Sequence, residues 1–266
     1  MSADVKWTAP RIRALKGKGR VVSLTAYDYS TARLVDEAGI QLVLVGDSLG
    51  MTMLGYENTL PVTMEEMLHH TAAVARGTRH ALVVTDMPFL SYQVSIEQAL
   101  LNAGRCIKAG AGAVKIEGGA FRAPAIRALV ENGVPVLGHV GLTPQSVQAL
   151  GGFKVQGKLP AEAERIVEDA QAVEAAGAFA LVLEAVPAAL APEVTAAVKI
   201  PTIGIGAGPG CDGQILVIHD LLGLYGDFKP KFAKRYADLG SAMKKAFEQY
   251  KKEVEEGRFP GPENCY

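Results

Sequence analysis

Four apolar runs in this chain end on an acid. "LVLVGDSLG" (42–50) reaches Asp47, "ALVVTDMP" (81–88) Asp86, "AVKIEGG" (113–119) Glu117 and "ALVLEAVP" (180–187) Glu184. Ser48 follows Asp47, Lys115 stands two residues before Glu117, and His139 lies late in "PVLGHVGL" (135–142). Each has a plain alternative. Asp47 before Ser48 and Gly50, and Asp86 before Met87-Pro88, suit turns; Glu117 before Gly118-Gly119 suits a helix cap. The recurrence carries more weight. Converging anions repel, and burying them is costly unless a cation or a proton compensates. Oxygen donors without a neighbouring cysteine suit a hard divalent ion, most naturally Mg²⁺, whereas zinc would favour His and Cys. Period-two geometry points Lys115 and Glu117 to the same side of a strand. Lys115 then holds a substrate carboxylate, forms a Schiff base, or merely balances the acids. His139 is either a mouth residue or a satisfied core histidine.

The elements that must position these residues repeat along the chain. Eight β runs are marked at 21–28, 41–48, 81–89, 113–119, 135–142, 180–187, 201–208 and 214–223. They are continuous apolar runs, the pattern of strands covered on both faces. Helical marks lie between most of them. The stretch 30–40 opens on Ser30, 63–78 on a Thr63-to-Glu66 capping box, 95–111 on Ser95 and 160–178 on Pro160. Three of them close on an Ala-Gly pair suited to a left-handed helix stop. The pattern predicts an α/β fold, a (β/α)8 TIM barrel, over a doubly wound sheet, because no Gly-x-Gly-x-x-Gly follows the first strand. A short helix at 9–19 would close the barrel bottom, and 234–257 would form a charged C-terminal helical extension. With no linker visible, residues 1–266 are expected to form one domain. In such a barrel every strand ends on one shared face, so acids nearly 140 positions apart would crowd one mouth. The Gly-rich "GIGAGPGCDG" (204–213) lacks the Gly-Lys-Ser/Thr of a P-loop and suits close backbone packing better than phosphate binding.

Bulk composition narrows the function classes. The 266 residues are 49% apolar, with 27 basic and 28 acidic residues. Near-neutrality gives no field that would favour nucleic acid or an anionic membrane. Clusters such as "RIRALKGKGR" and "KPKFAKR" fit solvated surface. No apolar run has a membrane-spanning length, and "MSADVKWTAP" has no signal-type apolar core. Cys106, Cys211 and Cys265 are odd in number and far apart, which fits a reducing cytoplasmic setting.

The ordered set "LTAYDYSTA", "VLVGDSLGM", "TLPVTMEEMLHHTAAV", "DMPF", "AVKIEGG", "PVLGHVGLTPQS", "LVLEAVP", "PTIGIGAGPGCDGQILVIHDLLG" and "PKFAKRYADL" closely resembles the ketopantoate hydroxymethyltransferase family. The likeness covers about residues 5–245. It implies a Mg²⁺-dependent barrel of the phosphoenolpyruvate/pyruvate type, with one ion per subunit. It implies transfer of a one-carbon unit from 5,10-methylenetetrahydrofolate to 3-methyl-2-oxobutanoate, giving 2-dehydropantoate for pantothenate and coenzyme A synthesis. Carried over motif by motif, Asp47, Asp86 and Glu117 would be metal ligands. Ser48 and Lys115, with Asp47 and Asp86, would bind the keto acid. Glu184 would be the general base, and His139 a mouth residue near substrate. The resemblance also implies a homo-oligomer, often a decamer. The competing expectations are a Mg²⁺-dependent lyase or mutase acting on a 2-oxo acid, a Schiff-base aldolase, and a barrel that only binds a small acid.

Overall fold

Eight strands close on themselves. They are β1 (Val21–Thr25), β2 (Leu42–Val45), β3 (Leu82–Asp86), β4 (Ala113–Glu117), β5 (Val136–Gly141), β6 (Ala180–Glu184), β7 (Thr202–Ile205) and β8 (Gly213–Leu216). From β2 to β7 they are almost wholly buried, whereas β1 and β8 each expose a residue on the outer face. Every pairing is parallel and follows chain order, and β8 returns to β1. This computed structural model describes residues 6–224 and 230–266. The first half of "MSADVKWTAP" and Lys229 of "KPKFAKR" lie outside the described residues. The chain divides into two units, one through Val217 that holds the barrel and one from Ile218 to Tyr266.

Alternation along the strands sorts side chains into two layers. On β4, Ala113 belongs to the barrel interior, with Leu42, Leu44, Leu82, Leu137 and Val182. Val114 and Ile116 face the other way, into the layer beneath the helices with Cys106, Leu129 and Val173. Lys115 and Glu117 share the parity of Ala113, so they follow it inward. The inner column is therefore apolar at the base of the strand and charged at its end. The helix Ala9–Arg13 brings fully buried Ile12 to the basal apolar cluster, as expected for an N-terminal cap.

The surrounding helices carry the signals expected of them. Met64–Gly77 starts with a reciprocal capping box between Thr63 and Glu66. Ile96–Lys108 starts with Ser95 accepting from the Gln98 N–H. Gly39, Gly110 and Gly177 follow three of the helices at φ of 80°, 109° and 102°, a region that only glycine enters cheaply. Ser30 is not the cap of the first outer helix. That helix is Tyr29–Glu37, and Asp28 caps it by accepting from the Thr31 N–H at 2.9 Å. Farther along the same helix, buried Asp36 accepts from the backbone N–H groups of Arg79, His80 and Ala81, which orients the chain entering β3.

Two further differences have physical reasons. The run 214–223 is not one strand: pairing ends at Leu216, where the ladder with Leu24 of β1 ends, and Ile218–Leu222 is helical. Apolar content alone does not separate a buried strand from a short buried helix. The helices Ala123–Glu131 and Leu190–Ala197 carry no strong start signal in the sequence and form against the barrel. The Gly-rich descent from β7 to β8 does pack closely: a Cβ on Gly213 would stand 2.2 Å from the Val21 carbonyl oxygen.

In the second unit, Leu239–Glu255 forms the expected charged helix, capped by Asp238. Leu239, Met243, Phe247, Tyr250 and Val254 are exposed along it. No helix among the described residues is long and apolar enough to cross a membrane.

Candidate active site

Strand register sets the site before any side chain is considered. Asp86 pairs with Lys115, Glu117 with His139, and Gly141 with Glu184. Asp47 and Ser48 follow the end of β2, where the chain turns into a short helix, Leu49–Thr52. Asp47, Ser48, Asp86, Lys115, Glu117, His139 and Glu184 all line one cavity of about 160 Å³, with Leu44, Val182, Ile205 and Ile215 as apolar wall. Every site residue named from the sequence thus lies at one mouth.

Lys115 is the hub. Its Nζ lies 2.7 Å from Asp86 Oδ1, 3.8 Å from Glu117 Oε1 and 3.3 Å from His139 Nδ1. Asp86 turns its other oxygen, Oδ2, to the Asp47 N–H at 3.0 Å. Burial pulls the ammonium pKa down, but Asp86, Glu117 and Asp47 outweigh it and hold it above the ordinary lysine value. Lys115 is therefore a fixed cation. His139 is held below its ordinary pKa by burial and by Lys115, so the ring is neutral at pH 7. The Lys115 ammonium can only donate to Nδ1. The proton of the neutral ring then sits on Nε2, which faces Glu184 Oε2 at 3.2 Å. Ser48 Oγ meets the Tyr27 hydroxyl at 2.9 Å, and burial raises that phenol to about 12, so it remains protonated.

The acids are not equivalent. Asp47, Asp86 and Glu117 are almost fully buried, whereas the Glu184 side chain is 18% exposed. Burial, then the neighbouring Asp86 charge, raises Asp47 to about 7. Burial likewise pushes Glu117 well above the usual carboxylate range. Four carboxylates and one lysine leave this mouth short of positive charge. Glu117 Oε1 is buried without a hydrogen-bond partner. Among the described residues, no three His, Cys, Asp or Glu side chains form a complete metal cage. That combination fits a hard ion which takes one or two carboxylates and keeps waters and substrate oxygens for the rest.

The raised acids make a prediction for the metal-free protein. A folded-state pKa above the unfolded value means that the fold binds more protons between the two values, so lowering the pH stabilises it. The thermal midpoint will rise as the pH falls from 8 to 6.5, with Asp47 alone contributing on the order of 1 kcal/mol. Below 6.5 the lowered pKa of His139 acts in the opposite direction. Calorimetry in chelator across this window checks it; a midpoint that falls over the window would refute the burial of these charges.

Three contributing residues carried no mark in the sequence. Gln145, in the loop after β5, is buried and touches both Asp47 and Glu117. Tyr92 reaches Gln145 and the Glu117 backbone, and Tyr27 holds Ser48. Only the proximity of Gln145 to His139, within "GHVGLTPQS", offered a signal.

Fold and site together define a (β/α)8-barrel enzyme with a carboxylate-rich mouth organised by one buried lysine. In fold the chain is similar to phosphoenolpyruvate phosphomutase from Streptomyces platensis subsp. rosaceus, at TM-score 0.63 and 16% identity, covering 94% of this chain and 88% of that one. It is equally similar to a phosphonopyruvate hydrolase solved with oxalate and Mg²⁺, at TM-score 0.63 and 15% identity, over 97% and 93% of the two chains. Sequence likeness goes further. The ketopantoate hydroxymethyltransferase family matches residues 6–262. The 3-methyl-2-oxobutanoate hydroxymethyltransferase of Clostridium novyi (strain NT) is 58% identical over 98% of this chain and 96% of its own. That of Moorella thermoacetica is 58% identical over the full length of both. The chain belongs to the ketopantoate hydroxymethyltransferase family.

Proposed function

We propose that this enzyme transfers a one-carbon unit from 5,10-methylenetetrahydrofolate to 3-methyl-2-oxobutanoate, giving 2-dehydropantoate in the pantothenate pathway. The observation that carries the reading is a partly exposed carboxylate, Glu184, lining the same small cavity as a fixed cation, Lys115. The names of the full-length relatives support the substrate and the transferase class.

Lys115 and the Ser48 hydroxyl bind the carboxylate end of the keto acid, and Asp47 and Asp86 shape the same end. Glu184 removes the C3 proton, and the electron pair forms the enolate. The enolate carbon then bonds to the methylene carbon of the folate as the bond from that carbon to one folate nitrogen breaks; water supplies the hydroxyl oxygen as the bond to the other nitrogen breaks, and tetrahydrofolate leaves with the proton that Glu184 took. His139 Nε2, 3.2 Å from Glu184 Oε2, flanks the base on the buried side of the cavity. Asp47 and Asp86, with Glu117 behind them, are the residues that would hold one Mg²⁺. When bound, that ion would supply Lewis-acid stabilisation of charge developing on the keto oxygen.

The fixed charge of Lys115 weighs against a Schiff-base aldolase, which needs the free amine. Cytoplasmic location and assembly as a homo-oligomer, a homodecamer by family resemblance, belong to the same proposal.

The test is incubation of the purified chain with 3-methyl-2-oxobutanoate, methylenetetrahydrofolate and Mg²⁺. Formation of 2-dehydropantoate, detected by mass spectrometry and abolished by chelator, supports the proposal. Cleavage of the keto acid would favour a lyase, and binding without turnover a non-catalytic barrel.

A further inference from the structure

We propose that Gln145 is a positioning residue that presets Asp47 and Glu117 together for a hard divalent cation, an inference resting on the metal site proposed above. Its amide has a determined orientation. The Met87 carbonyl can only accept, and it lies 2.9 Å from Nε2, so that atom is the nitrogen. The second proton of this NH₂ goes to Asp47 Oδ2 at 2.9 Å. On the other side, Oε1 accepts from the Tyr92 hydroxyl at 2.8 Å and from Gln93 Nε2 at 2.9 Å. All four hydrogen-bonding positions of the amide are filled, so the side chain cannot turn without breaking several bonds at once.

The main chain of the same residue does the second part. The Gln145 N–H donates to Glu117 Oε2 at 3.0 Å. One residue therefore holds one oxygen of each of two acids that arrive on different strands. The other oxygen of Glu117, Oε1, is left buried and without a hydrogen-bond partner. A carboxylate pinned through one oxygen presents the other in a fixed direction, which is what outer partners of metal ligands do. A side chain that merely filled the loop would need neither acid as a partner.

The measurement is Mn²⁺ binding by the full-length protein without substrate, followed by the electron paramagnetic resonance signal of free Mn²⁺. Gln145→Met keeps the length and removes the amide. Its affinity is expected to fall about 10- to 100-fold, with circular dichroism unchanged. Should that variant fail to fold, Gln145→Asn makes the same comparison: it keeps an amide one methylene short of Asp47. Folded variants that bind Mn²⁺ as the wild type does would overturn the role of Gln145. A wild-type protein that binds no Mn²⁺ would instead overturn the metal site beneath it.

Discussion

Glu184→Gln will remove C3 proton exchange from 3-methyl-2-oxobutanoate in D₂O while leaving the barrel folded. The substitution keeps size and hydrogen bonding but abolishes basicity, and a positioned base is worth about 10²- to 10⁴-fold in rate. Glu184 suits the part because of where it stands. Its side chain is 18% exposed, so a proton it takes can leave, whereas Asp47, Asp86 and Glu117 are buried and engaged. His139 Nε2 lies 3.2 Å from one of its oxygens without neutralising it, since the ring is held neutral. Proton NMR of the keto acid with protein and Mg²⁺, folate omitted, reads the exchange directly. Undiminished loss of the C3 signal with Glu184→Gln would mean that another group is the base.

Lys115→Met will have the largest effect on the fold and also stop the reaction. Lys115 lies 2.7 Å from Asp86, with Glu117 at 3.8 Å, and all three side chains are buried. Removing one partner of a buried ion pair costs about 3–5 kcal/mol, because the other is left as an uncompensated charge. At about 2–4 °C per kcal/mol for a chain of this size, the midpoint should drop by roughly 6–20 °C. The deficit will depend on pH. Asp47 and Glu117 already sit above their ordinary pKa values, and losing the cation pushes them in the same direction. They can take up protons as the pH falls, so the loss at pH 8 should exceed that at pH 5.5. Thermal melts at both values, in chelator, decide it. An equal deficit at both would show that the lysine stabilises by packing its stem and not by its charge.

Much of the architecture was legible because it depends on period and punctuation. Seven of the eight β runs contain their strands, since strands covered on both faces must be apolar throughout. The eighth, 214–223, extended past its strand because a buried helix turn has the same composition. The capping box at Thr63 and the glycine stops after three helices were local chemistry and persisted in the fold. Asp28 and Ser30, two residues apart, are both eligible caps, and only the helix phase chooses Asp28 over Ser30.

The sequence by itself determined which residues could do chemistry: four acids, a lysine and a histidine at strand ends, with Lys115 and Glu117 on one face. Strand parity is a property of the chain, and it holds before any neighbour arrives. Only the tertiary structure decided which of them act on each other. The ion pair of Lys115 with Asp86, the neutral His139 aimed at Glu184, and the grip of Gln145 on two acids all join separate strands or loops. Those contacts come from the register of closure and the burial of these side chains. Charge interactions strengthen as water is excluded, so the roles of identical carboxylates diverge only once the barrel is shut.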